Sequence, residues 1–160
     1  MKASTLAEIK KELTELPLPE VMELTLRLGR YKKENKELLT YLLFESQDEA
    51  AFIRNIKSEI DMGFEEMNRS NLHLVKKTLR KIIRFINKYV RFSASRGLEV
   101  ELRIYFCSQL KNSGIKIRNS QALINLYENQ LKKIKSTMDK LHEDLQYDYL
   151  REFEKLSLAT

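Results

Sequence analysis

Four glycines and two prolines are all that the 160 residues contain. All-β and α/β folds use both residue types in their turns, so this scarcity excludes a turn-rich architecture and leaves few, short connections between long helices. There is one cysteine, Cys107. It has no internal disulfide partner, and nothing in cysteine usage points to an oxidising compartment. It stands in the apolar run Leu102, Ile104, Tyr105, Phe106 and reads as a buried, inert thiol. The two histidines, His73 and His142, are fewer than a site of His and Cys ligands needs. No metal and no cofactor is therefore expected. The glycines are ungrouped, which excludes a phosphate loop, a dinucleotide fingerprint and a nucleophile elbow. Carboxylates such as Glu65 and Glu66 are plentiful but unpatterned. No catalytic residue is assigned, no small-molecule substrate is evident, and an enzyme ranks last among the readings. No apolar stretch approaches the roughly 20 residues of a membrane span. Met1 to Lys11 lacks the apolar region of a signal peptide, so the expected location is the cytoplasm.

What is present suits amphipathic helices: 42% hydrophobic and 32% charged residues in a chain of one domain's length. Thr5 and Glu8 form a capping box ahead of a helix whose apolar positions are Leu6, Ile9, Leu13 and Leu16. Pro17-Leu18-Pro19 ends it, and Pro19 suits the first turn of the next helix. Val21, Leu24 and Leu28 follow, with Met22 and Leu26 beside them, then Leu38, Leu39, Leu42 and Leu43. Residues 19–44 read either as one bent helix or as two. Ser46 with Glu49 is a second capping box, opening a helix through Phe52, Ile53, Ile56, Ile60, Phe64 and Met67. Ser70 is a candidate N-cap for a helix running to about Phe92. Residues 98–111 read as a further helix, although the β-branched and aromatic run Val100 to Phe106 is also compatible with a strand. From Ser120 a seam of Leu123, Tyr127, Leu131, Ile134, Met138, Leu141, Leu145, Tyr149, Phe153 and Leu156 predicts one long final helix.

The net charge of +6 is concentrated. Residues 1–68 carry 10 basic and 14 acidic side chains, residues 69–97 carry 9 basic and none acidic, and residues 98–160 carry 10 and 9. At 100° per residue, Lys76, Lys77, Arg80, Lys81, Arg84, Lys88 and Arg91 fall in one arc of about 140°, opposite Leu72, Val75, Leu79, Ile82, Ile83, Ile86, Tyr89 and Val90. Two readings follow. Either neighbouring carboxylates (Glu59, Asp61, Glu65, Glu66, Glu143, Asp144, Asp148) neutralise a solvated face, or the face holds an external polyanion, with Lys77, Arg80, Arg84 and Lys88 as the anion contacts. Tyr147, Tyr149 and Phe153, with Tyr127 further back, read as core or as a partner-binding remnant.

The segment Leu6-Ala7-Glu8-Ile9-Lys10-Lys11-Glu12-Leu13, then Leu16, Pro19-Glu20-Val21-Met22-Glu23-Leu24 and Tyr31-Lys32-Lys33-Glu34-Asn35-Lys36-Glu37-Leu38 resembles small uncharacterised helical proteins of bacteria, a family defined as a domain of unknown function. The resemblance covers about residues 5–45. It implies a bacterial helical protein and carries over no activity and no functional residue.

The expectation is an all-α fold: a multi-helix bundle of about six to seven helices with the long C-terminal helix as its spine. Residues 1–160 form a single helical domain, with 5–45 as a possible hairpin subdomain. The first functional expectation is a non-enzymatic interaction or adaptor protein with a protein partner or self-association. The alternative is nucleic-acid binding through the basic face of helix 71–92.

Overall fold

A computed structural model describes residues 2–156. Met1 and residues 157–160, which the expected single domain includes, lie outside the described residues. The described residues contain eight α-helices and no strand: α1 (Leu6–Glu15), α2 (Leu18–Tyr31), α3 (Lys33–Thr40), α4 (Glu49–Glu65), α5 (Leu72–Ser93), α6 (Arg96–Asn112), α7 (Gln121–Met138) and α8 (Glu143–Glu154). A π-helical turn spans Tyr41–Glu45 and a 3-10 turn spans Ile117–Asn119. The all-α expectation holds, while the count of six to seven helices is too low. No helix among the described residues is long and apolar enough to cross a membrane. The chain divides into two compact units, Met1–Phe44 and Glu45–Thr160.

In the first unit the capping box is as read. The Thr5 backbone N–H donates to Glu8 Oε2 at 2.7 Å, and Glu8 N–H donates to Thr5 Oγ1 at 3.3 Å. Residues 19–44 are two helices and a π-turn, because Lys32 is extended (φ −141°, ψ 144°) between α2 and α3. Asn35 Nδ2 donates to the Leu28 carbonyl at 2.8 Å, satisfying one of the carbonyls left over at the end of α2. Gly29 sits inside α2. A Cβ there would lie 2.9 Å from Leu39 Cδ1, so the glycine lets α3 pack closely on α2.

The second unit is built around α6. Leu98, Val100, Leu102, Ile104, Phe106, Cys107 and Leu110 are all buried, an arc of about 240° around the helix. A helix buried over so wide an arc belongs in the middle of a core, and α4, α5, α7 and α8 all pack on α6. The β-branched and aromatic run Val100 to Phe106, also compatible with a strand, is helical throughout. Gly63 lets α4 approach α5, since a Cβ would meet Ile82 Cγ1 at 3.0 Å. Two N-caps differ from the sequence reading. Asp48, rather than Ser46, accepts from Ala51 N–H at 2.8 Å, and Asn71, rather than Ser70, accepts from Leu74 N–H at 3.0 Å.

The expected long C-terminal spine is not formed. The seam from Ser120 breaks at residues 139–142 into α7 and α8. Gln146 Nε2 donates to the Leu141 carbonyl at 2.8 Å, and His142 is the N-cap of a new helix whose first turn is acidic, Glu143 and Asp144. Carboxylates there complement the positive end of the helix dipole. A continuous helix from 121 to 156 would be about 54 Å long and would leave its second half without a core to bury against. Folding back buries Leu156, and the Tyr127 hydroxyl donates to the Leu156 carbonyl at 2.7 Å. The spine is therefore α6, not the last helix.

Candidate interaction surfaces

The basic face forms as one surface along α5. Its N-cap at Asn71 fixes the start of the helix, and Val75, Leu79, Ile82, Ile86 and Phe92 anchor the opposite side in the core. Lys77, Arg80, Lys81, Arg84 and Arg91 are exposed, and Lys76 and Lys88 are half-buried. Lys76, Lys77, Arg80, Lys81 and Arg84 have no carboxylate oxygen of a described residue within 4.0 Å. The nearby acids are otherwise placed. Asp61 accepts the Tyr105 hydroxyl at 2.7 Å, while Glu59, Glu65 and Glu66 are exposed. Glu59 and Glu66 do line a groove together with Lys81 and Phe85. Lys88 differs from the others. Its ammonium lies 4.6 Å from the Tyr89 ring centre and 5.9 and 6.0 Å from those of Phe85 and Phe92, a cation–π cradle. Tyr89 also meets Phe52 of α4 edge-on at 5.5 Å, so this cradle is part of the helix packing.

A second surface lies in the first unit. The apolar positions of α1 and α2 do not form a core. Leu6, Ile9, Leu13, Leu18, Met22, Leu24, Leu26, Leu28 and Tyr31 are all exposed, Leu6 at 85% and Leu28 at 61%. Neither α1 nor α3 has a buried residue, and α2 buries Gly29 alone. The sequence reading placed these leucines on apolar helix faces, and the structure leaves those faces in solvent. A monomer rarely exposes apolar side chains in a contiguous group unless they meet something else.

The aromatic group divides. Tyr127 is fully buried, Tyr149 and Phe153 are half-buried against the bundle, and Tyr147 is exposed at 70%. Tyr149 is raised above its ordinary range, by burial first and then by nearby carboxylates including Glu101 and Glu49. Burial likewise raises Tyr127 and pushes the Cys107 thiol up to about 12. A thiol so raised is neutral and unreactive.

The sequence reading missed one residue altogether. Arg103 lies in the core, 3% exposed, and is fully satisfied there. Its Nε donates to Glu99 at 2.8 Å, Nη1 to Gln130 Oε1 at 2.7 Å and Nη2 to Asn87 Oδ1 at 2.9 Å. The network ties α5, α6 and α7 together. Its signal was an arginine inside an apolar run with a glutamate four residues before it. Among the described residues, no group of three His, Cys, Asp or Glu is placed to hold a metal ion.

The fold and these surfaces define an all-helical protein with a packed bundle and a sparsely packed N-terminal helical unit. No family model matches the chain, and neither a curated protein nor a solved structure does.

Proposed function

We propose that this is a non-enzymatic, cytoplasmic interaction protein that binds a protein partner through the apolar face of α1 and α2. One observation carries the reading: the leucines of those helices have amphipathic spacing and stand in solvent. Amphipathic helices presenting i, i+3, i+4 and i+7 anchors are a common means of protein recognition. The packed unit supplies a stable body, and the N-terminal unit supplies the contact surface. Photo-crosslinking in cells tests this. A photoreactive residue at Leu28 should crosslink to a discrete protein, whereas one at Lys132, exposed on α7, should not. Equal crosslinking from both positions, or none from Leu28, would contradict the reading.

A second reading is favoured by the five cations of α5 that have no carboxylate partner. They would hold the phosphates of a nucleic acid with little reading of sequence. Lys88 is the weakest candidate contact, because its ammonium is engaged by rings, so the informative variant changes Lys77, Arg80, Lys81 and Arg84 to Gln. Titration with labelled RNA and DNA duplex at two salt concentrations should give binding that weakens steeply with salt and is lost in the variant. No binding of the native chain at low salt would exclude this reading.

A further inference from the structure

We infer that α2 is the contact helix of a homodimer, pairing antiparallel with α2 of a second copy about a two-fold axis near Thr25. This rests on the reading of the N-terminal unit as a protein interface and names its occupant. The argument begins with the order of charges. Along α2 the charged residues are Glu20, Glu23, Arg27 and Arg30, two acids followed by two bases. All four are exposed, and none has an ion-pair partner within 4.0 Å among the described residues. Glu23 and Arg27 stand at the spacing that allows a pair within the helix, yet they are not paired in this structure.

The positions of the charges fit reversal. At 100° per residue all four fall within an arc of about 80°, and Val21, Leu24, Leu28 and Tyr31 occupy the adjoining arc of about 80°. Leu24, Leu28 and Tyr31 are exposed at 41%, 61% and 76%. In an antiparallel pair of helices related by a two-fold axis, the same flank of each helix lies beside the other's. A contact of this kind is isologous, with each residue meeting its reversed counterpart. With the axis near Thr25, Glu20 lies opposite Arg30 of the partner subunit, and Glu23 lies opposite Arg27 of the partner subunit. Four ion pairs then flank the apolar seam. In the reversed register Leu24 interleaves with Leu24 and Leu28 of the partner subunit. A purely acidic or purely basic partner would match only half of this pattern, whereas a second copy of the chain matches all of it.

On the other side of α2, Gly29 faces Leu39 of α3, while Leu18, Met22 and Leu26 stay exposed there. Pairing along the charged and leucine-bearing faces therefore leaves the α2–α3 packing intact. A contact of one helix about 21 Å long is smaller than the roughly 800 Å² per partner of a stable interface. The dimer is accordingly reversible and depends on concentration.

The test is sedimentation velocity on the full chain over a wide concentration range, with two charge-reversed variants. E20R/E23R makes the flank all basic, and R27E/R30E makes it all acidic. The native chain should associate to a dimer in the micromolar range. Each variant alone should dimerise at least about tenfold more weakly, because like charges then face one another across the contact. An equimolar mixture of the two should recover a heterodimer. Circular dichroism of each variant should match the native chain, since all four positions are exposed. A native chain that stays monomeric, a dimer indifferent to either reversal, or a mixture that fails to recover association would each overturn the inference. The Leu28 crosslink separates this failure from that of the parent reading. A crosslink to a different protein would overturn the second copy and keep the interface, and no crosslink would remove both.

Discussion

Helices α1 and α2 carry Leu6, Ile9, Leu13, Leu24 and Leu28, and α4 carries Phe52, Ile53, Ile56, Ile60 and Phe64. Both sets follow helical spacing. In α4 all five side chains are buried, Ile60 completely, while all five in α1 and α2 are exposed. The difference lies in what each helix has to pack on. α4 lies against α6, whose buried apolar residues span about two thirds of its circumference. The first unit contains no such central helix. Its three helices are 10, 14 and 8 residues long, and each is amphipathic. Short helices draw their stability from tertiary packing more than from propensity. Amphipathic spacing thus states that a helix has a side to bury, and only a neighbour in the fold, or in another molecule, decides whether it does.

The comparison is broken most directly by substitution in the core of each unit. Leu102→Ala should destabilise the packed unit by about 2–5 kcal/mol, the cost of a cavity at a fully buried site. Arg103→Met should cost about 1–3 kcal/mol, because the buried Gln130 side chain then loses its hydrogen-bond donor. Leu28→Gln should change the stability of the monomer by less than about 0.5 kcal/mol, as for other exposed positions. Urea unfolding at low protein concentration measures all three. A large loss for Leu28→Gln would mean that its side chain is already covered within the chain.

Thiol chemistry sharpens the contrast at an intermediate scale. Cys107 should resist alkylation in the native protein and react only on unfolding, whereas a cysteine introduced at Leu28 should react at once. The raised thiol also has a pH consequence. The folded chain retains a proton that the unfolded chain releases above the ordinary value of 9.0, so stability should fall as pH rises beyond that point. Cys107→Ala should remove that part of the slope between pH 9 and 10, read from urea midpoints.

The smallest effect concerns the first turn of α1. Glu8 is held below the usual carboxylate range, first by the Thr5 backbone N–H and then by the Thr5 hydroxyl. Its contribution is present above the ordinary glutamate value and is lost as pH falls through the depressed one. Thr5→Ala should therefore raise amide exchange in α1 several-fold and leave α6 unchanged.

The sequence made the helical class legible through the rarity of Gly and Pro, and it made the α5 face legible through a charge pattern that needs no tertiary information. It misplaced the spine. The seam from Leu123 to Leu156 is continuous in period, and no glycine or proline marks the break at 139–142. The burial of Leu156 and the bond from Tyr127 add to the His142 cap and the Gln146 bond in explaining the reversal. The actual spine, α6, was obscured because a helix buried over so wide an arc has little period to detect. Arg103 was overlooked for the same reason, and its partners Asn87 and Gln130 come from α5 and α7, distant in sequence. The bare state of α1 and α2 was not legible, because their pattern is that of any packed helix.

Amide hydrogen exchange of the full chain, dilute and concentrated, tests the central claim most directly. In dilute protein the amides of residues 18–31 should exchange far faster than those of α6. On concentration they should gain protection while α6 and α4 stay unchanged. Residues 18–31 as protected as α6 in dilute protein would show that the face is covered within the chain, and the account of the first unit as a binding surface would be wrong.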